Sequence, residues 1–96
     1  MVAGVDAIVH LGGISVEDEW PRILASNIDG MARLYEAARR ARVKRIVWAS
    51  SNHATGFYRQ DEVIDGSAPP RPDTWYGLSK AFGENLAQMY WDRFGL

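Results

Sequence analysis

An α/β fold built on a parallel strand pair is the fold class this sequence predicts, and two observations carry it. Two short apolar runs rich in β-branched residues, "DAIVHLG" (6–12) and "KRIVWAS" (44–50), have the length and composition of buried strands. The stretch between them, "EDEWPRILASNIDGMARLYEAARRARV" (17–43), has helical spacing: Trp20, Leu24, Ile28, Met31, Leu34 or Tyr35, and Ala38. Strand, long helix and strand make a βαβ unit, whose strands run parallel through a right-handed crossover.

Each element has its own signals. The first strand is expected over about 5–11 and is stopped by Gly12 and Gly13. The helix is expected over about 18–42. Glu17, Asp18 and Glu19 stand at its start and Arg39, Arg40 and Arg42 at its end, which suits the macrodipole and makes the basic cluster a solvated helix end. The second strand follows over about 44–50. In residues 54–72, Gly56, Gly66, Pro69, Pro70 and Pro72 break any period. A loop of that length is functional or disordered, and Phe57 and Tyr58 argue against plain disorder. Asp73 or Thr74 then caps a helix over about 74–94, whose apolar stripe is Leu78, Phe82, Leu86 and Met89 or Tyr90. Two strands leave apolar edges unpaired, so residues 1–96 alone are expected to be marginally stable or to associate.

Composition removes several function classes. The chain has 96 residues, 47% apolar and 24% charged, as in one small globular domain. A net charge of −1 gives no footprint for nucleic acid or an anionic membrane surface. The absence of cysteine excludes disulfides, thiolate metal sites and a cysteine nucleophile, and no metal site is expected. No apolar run approaches the roughly 18 residues of a membrane span. The opening "MVAGVDAIVH" lacks a basic n-region and Asp6 interrupts it, so a cytoplasmic location is expected.

The chemistry is concentrated in "SSNH" (50–53 ends the second strand as "ASSNH") and "YGLSK" (76–80). Tyr76 and Lys80 are four apart, so a helix places both on one face. Alone, such a pair also suits an amphipathic surface. Ser51, however, follows the carboxyl end of a parallel strand, where open α/β sheets place their ligands. A phenol is a poor base at neutral pH, and a nearby ammonium favours its phenolate. Lowering a tyrosine pKa from about 10 to about 7 takes about 4 kcal/mol. A partly buried Lys80 and a positively charged oxidised nicotinamide are candidates to supply it.

With these residues in place the chain resembles the extended short-chain dehydrogenase/reductases, the NAD-dependent epimerase/dehydratases, over essentially its whole length. "DAIVHLGG" resembles the family's fourth strand, "NIDG" (27–30) its helix motif with a structural Asn, "WASSNH" the strand carrying the catalytic Ser, and "YGLSK" the Tyr/Lys helix. Within the family, "LGGISVE", "ASSNHATGFY" and "RPDTWYGLSKAFGE" are most similar to the uronate dehydrogenases. These oxidise galacturonate or glucuronate at C1, with NAD, to the aldarolactone. The resemblance implies a partial Rossmann-like β-α-β-α fragment of a doubly wound parallel sheet. It implies Tyr76 as base, Lys80 depressing the Tyr76 pKa and holding the nicotinamide ribose, and Ser51 on the reacting oxygen. Ser15, Asn52 and His53 would bind sugar hydroxyls, Leu11, Gly12 and Gly13 would line the cofactor, and Asn27 would support the site. A sugar-acid substrate and a homo-oligomer formed through helices 18–42 and 74–94 are also implied; Tyr35, Tyr90 and Trp91 offer apolar area as its anchors or, equally, pack in the core.

Plainer readings stand beside these. Gly12 and Gly13 suit a tight turn, Asn27 an exposed helix position, His53 a loop without a ligand, and His10 a satisfied residue near the core. The chain also departs from the family pattern. It has no G-x-G-x-x-G, and it stops at "RFGL", before the family's sixth strand and carboxylate-binding Arg. Residues 1–96 are therefore expected to be the central part of a Rossmann-type NAD-binding and catalytic domain. Alone, without a pyrophosphate cradle, they are expected not to bind NAD measurably. A sugar-nucleotide epimerase/dehydratase is the alternative for the parent, and a non-catalytic folding or association module the alternative for the isolated chain.

Overall fold

The computed structural model describes residues 2–96. Strand β1 (Ala7–His10) pairs in parallel with β2 (Arg45–Trp48), in register from Ala7 opposite Arg45 to His10 opposite Trp48. The βαβ unit and the α/β class are as the sequence predicts. Burial of the strands is not. Each alternates exposed and half-buried residues, and Val9 and Val47 are 70% and 57% exposed. Successive side chains of a strand point to opposite faces, and this chain's helices cover one face of the pair. Ile46 and Trp48 pack into the core cluster of Met31, Tyr35 and Tyr90.

The crossover is not one continuous α-helix. Helix α1 (Trp20–Ile23) passes into a π-helical segment (Leu24–Asp29) and then into α2 (Gly30–Arg40). The Gly30 N–H bonds the Ala25 carbonyl, five residues back, which adds a residue to that turn. The inward face therefore reads Ile23, Asn27, Met31, Tyr35 and Ala38, while Leu24, expected inside, is 41% exposed.

The basic end of α2 is tied down rather than simply solvated. The Glu36 carboxylate accepts from Arg39 Nε and Nη2 (2.9 and 2.7 Å), from Arg40 Nε (3.0 Å) and from the Tyr90 hydroxyl (2.9 Å). The Arg39 bond, then the Tyr90 bond, hold the Glu36 pKa down at about 2. A depressed carboxyl pKa contributes stability that is present above the unfolded value and is lost as pH falls through the folded one. Glu36→Gln is thus expected to flatten the acid limb of stability between an ordinary carboxyl value and about 2. Urea midpoints across that range check this, and an unchanged acid limb would count against the cluster's role.

Helix α3 spans Trp75–Phe94, and Thr74, not Asp73, caps it: Thr74 Oγ1 accepts from Gly77 N at 2.8 Å. Its buried face is Tyr76, Gly77, Ser79, Ala81, Gly83 and Tyr90. Leu78 and Met89, expected inside, are 39% and 42% exposed. Small residues win that face because other parts of the chain press against it: a Cβ on Gly83 would meet Trp48 Cη2 at 2.5 Å. Tyr35 and Tyr90 are not surface anchors either. Both are core, with ring centroids 5.1 Å apart, and only Trp91 of the three stays outside, at 62% exposure.

A 3-10 turn (Asn52–Thr55) opens the long loop, whose ends are pinned together. Phe57 N donates to Arg71 O (3.0 Å) and Arg71 N to Ala54 O (2.9 Å). Within the loop the Tyr58 hydroxyl donates to Pro69 O (2.8 Å), and the Arg71 guanidinium lies 5.2 Å from the Tyr58 ring centroid. No helix among the described residues is long and apolar enough to cross a membrane.

Candidate active site

One turn of α3 presents Tyr76 and Lys80 beside the carboxyl end of β2. Lys80 Nζ donates to the carbonyl of Ala49, just past β2, at 2.8 Å. The same ammonium lies 5.5 Å from the Tyr76 ring centroid and 5.3 Å from that of Trp48. Burial against these rings pushes the Lys80 pKa down. His10, the last residue of β1, lines a small cavity together with Trp48 and Lys80. Burial first, and the Lys80 charge second, push its imidazole pKa down, which favours the neutral ring. His10 is thus half-buried beside Lys80, near the plainer of its readings.

The 3-10 turn brings a second group to Tyr76. Ser51 caps this turn, its Oγ accepting from His53 N at 3.1 Å. The His53 ring stands edge-on to Tyr76, with centroids 5.8 Å apart. His53 Nδ1 meets Oδ1 and Oδ2 of Asp73 at 2.9 and 3.0 Å. That bond is the main reason the Asp73 carboxyl lies below its usual pKa. Two glycines make the approach possible. A Cβ on Gly77 would run into the His53 carbonyl oxygen, and one on Gly56 into the Asp73 carboxylate.

Asn27 holds the other side. Turned inward by the π segment, its Oδ1 accepts from Ile14 N and its Nδ2 donates to Ile14 O, both at 2.9 Å. Nδ2 also donates to Ser79 Oγ (3.1 Å), which donates to Tyr76 O (2.6 Å). A chain of hydrogen bonds thus links the segment before Ser15 to the helix carrying Tyr76. Asn27 is 8% exposed, which removes its surface reading. Gly13, at φ +118°, takes a backbone shape other residues rarely adopt, and a Cβ there would meet Asn27 Oδ1 at 2.8 Å. Ser79→Ala removes both bonds of a hydroxyl that is 1% exposed and is expected to cost about 1–3 kcal/mol. Urea denaturation checks this, and a midpoint unchanged from wild type would refute the clamp.

Of the residues read from the sequence, His53, Tyr76 and Lys80 come together, with Asn27 behind them, while Ser51 caps the turn that carries His53. Gly12 lines the small cavity with His10, Asn27 and Lys80. Leu11 (74% exposed), Ser15 and Asn52 lie open to solvent. Ser51 Oγ bonds within its own turn, and no hydrogen bond joins it directly to Tyr76 among the described residues. Sequence reasoning missed three groups. Glu17, read as support for the first helix, accepts from Trp75 N and Tyr76 N (3.1 and 3.0 Å) and so caps α3. Ser79 carried a signal in its place within "YGLSK", but its partner Asn27 is 52 residues away. Asp73 reads in the sequence only as a candidate cap, because its partner His53 lies 20 residues away.

The residues present fit the nicotinamide half of a dinucleotide. Lys80 is half-exposed and uses one donor on Ala49, and Gly12 offers backbone with no Cβ at the carboxyl end of β1. Residues 1–96 match the NAD dependent epimerase/dehydratase family. The uronate dehydrogenase of Pseudomonas putida is 58% identical over 96 residues, covering 100% of this chain and 36% of that protein. The uronate dehydrogenase of Agrobacterium fabrum is 60% identical over 95 residues, covering 99% of this chain and 36% of that protein. The crystal structure of a mutant uronate dehydrogenase from Agrobacterium tumefaciens complexed with NAD superposes with a TM-score of 0.95 at 59% identity, covering 99% of this chain and 36% of that one. The chain thus spans about a third of the length of the curated relatives it matches and has the Rossmann-like architecture of that part of them. With the match running across all 96 residues, the chain belongs to the NAD dependent epimerase/dehydratase family.

Proposed function

We propose that this chain is the central, catalytic part of an NAD-dependent dehydrogenase that oxidises a uronic acid, galacturonate or glucuronate, at C1 to the aldarolactone. The observation that carries this reading is the placement of Lys80 Nζ, 5.5 Å from the Tyr76 ring and bonded to Ala49 beyond β2. Uronate as the substrate is supported by the 58% and 60% identity to uronate dehydrogenases. When bound, NAD supplies the hydride acceptor. Tyr76 takes the proton of the C1 hydroxyl as general base. Lys80, fixed by Ala49, places a positive charge beside the phenol and offers its remaining donors to the nicotinamide ribose. Ser51 holds the reacting oxygen, and turning its hydroxyl to the sugar leaves its acceptor bond to His53 N in place. Ser15, Asn52 and His53 bind sugar hydroxyls. Leu11, Gly12 and Gly13 line the cofactor, and Asn27 fixes the segment that carries Ser15.

The reaction is tested by mixing the full-length protein with NAD and galacturonate, and separately with a sugar nucleotide, while following NADH absorbance. Stoichiometric NADH from the uronate is expected. Silence with the uronate, together with isomerised sugar nucleotide, would replace this reading by an epimerase that returns its hydride within one turnover. Asn52→Ala and His53→Ala are expected to raise KM for the uronate more than they lower kcat, because contacts to non-reacting hydroxyls are largely uniform binding. A fall in kcat alone would assign these residues to the chemical step instead. A cytoplasmic homo-oligomer is part of the same proposal. Helix α3 turns Leu78, Met89 and Trp91 outward, and sedimentation showing only monomer would remove that part.

A further inference from the structure

Asp73 stands beside a residue that the proposed reaction uses, and nothing in that reaction yet assigns it a task. We propose that Asp73 is a positioning residue that fixes the tautomer of His53, keeping the proton on Nδ1 and leaving Nε2 as a hydrogen-bond acceptor for a hydroxyl of the sugar. This rests on the uronate-oxidising reading for its substrate, but the tautomer itself belongs to the chain.

The geometry is built from several sides. Both carboxylate oxygens meet Nδ1, at 2.9 and 3.0 Å. A carboxylate only accepts, so the proton between the pair is on the ring nitrogen. With a single ring proton, held on Nδ1, the lone pair is on Nε2. The carboxylate is itself held, because Thr74 Oγ1 donates to Oδ1 at 3.1 Å. The backbones of the two residues are joined, with Asp73 N donating to His53 O at 3.4 Å. Gly56 leaves the space that the Asp73 side chain fills, and Gly77 lets the His53 carbonyl rest on α3. The ring so held stands edge-on to Tyr76, 5.8 Å between centroids, on the side of the site where Ser51 caps the same turn. An acceptor at Nε2 has a selective consequence: it takes a hydrogen from a sugar hydroxyl, so His53 reads the hydroxyl pattern of a uronate rather than its acid group.

Asp73→Asn inverts this chemistry with little change of shape. Thr74 donates to the side-chain oxygen, which favours turning the new amide nitrogen toward His53 Nδ1. An N–H facing Nδ1 demands its lone pair and moves the ring proton to Nε2, which becomes a donor. The test uses full-length protein. The 15N chemical shifts of the imidazole report which nitrogen carries the proton, and steady-state kinetics with galacturonate report the function. Expected are Nδ1–H in the wild type, Nε2–H in Asp73→Asn, and a rise in KM of about 10–100-fold with a smaller change in kcat, the size of one or two lost hydrogen bonds. His53→Gln guards against a purely structural effect. In that background Asp73→Asn is expected to leave KM where His53→Gln alone puts it. An unchanged tautomer in Asp73→Asn, or an equal rise in KM in both backgrounds, would overturn the proposal. A wild type that shows Nδ1–H but makes no NADH from any uronate would strike down the dehydrogenase reading and leave Asp73's control of the ring standing.

Discussion

Tyr76→Phe is expected to lower kcat by about 10²–10⁴ while the protein stays folded. The substitution removes a single oxygen and keeps the ring, which is 8% exposed and packs edge-on against His53. No helix contact is lost: Tyr76 holds Glu17 through its backbone N–H and Ser79 through its carbonyl, and both survive the change. What disappears is the hydroxyl proposed to accept the substrate proton, on the ring that lies 5.5 Å from the Lys80 ammonium. Single-turnover kinetics of the full-length variant measure the loss, with thermal unfolding alongside. Activity close to wild type would move the base elsewhere, and a collapsed unfolding temperature would make the result one of stability.

Gly77→Ala is expected to damage both the fold and the reaction. Two effects oppose one another. Alanine in place of glycine inside a helix is worth up to about 1 kcal/mol of helix propensity. Against it, the new Cβ would collide with the carbonyl oxygen of His53 and come within 2.9 Å of its carbonyl carbon. Those are backbone atoms, which cannot rotate aside, so packing wins. Overpacking of this kind costs about 1–3 kcal/mol. The relief available is to lift the 3-10 turn off α3, which carries Ser51 and His53 away from Tyr76. A displacement of about 1 Å in an active site can cost about 10²-fold in rate. A lower urea midpoint together with a fall in kcat/KM is expected. A more stable protein with wild-type kinetics would show that the turn gives way without consequence.

The parts of this molecule written in local pattern were legible from the sequence. The strand runs, their parallel pairing, the final helix and the Tyr76–Lys80 face follow from periods of two and near 3.6 and from residue type. Misjudged features depend on what lies across from an element. Val9 and Val47 have the composition of buried strand residues, yet this chain supplies cover for one face only. Leu78 and Met89 form an apolar stripe at helical spacing, yet α3 buries its glycines and Ser79 instead, because Trp48 and His53 require close approach. Periodicity ranks a face by greasiness and is blind to a face chosen for smallness. The same limit hid Glu17 and Asp73. Each acts on a partner far along the chain, 59 residues away for Glu17 and Tyr76, and 20 for Asp73 and His53.

The π segment makes this helix sensitive to length in a way that no side chain reveals. An α-helix turns about 100° per residue, and the extra residue between Leu24 and Asp29 is what sets the phase of α1 and Asn27 against α2. Losing any one residue there would let the stretch relax to a regular helix while hardly altering its composition. Everything before the deletion would then swing by about 100°, taking Ile23 out of the core and, wherever it precedes the lost residue, the Asn27 amide off Ile14. Point changes on the exposed side of that segment are mild by comparison. For this stretch of the gene, a three-nucleotide deletion is a graver lesion than most missense changes, because it rewrites an angle rather than a contact.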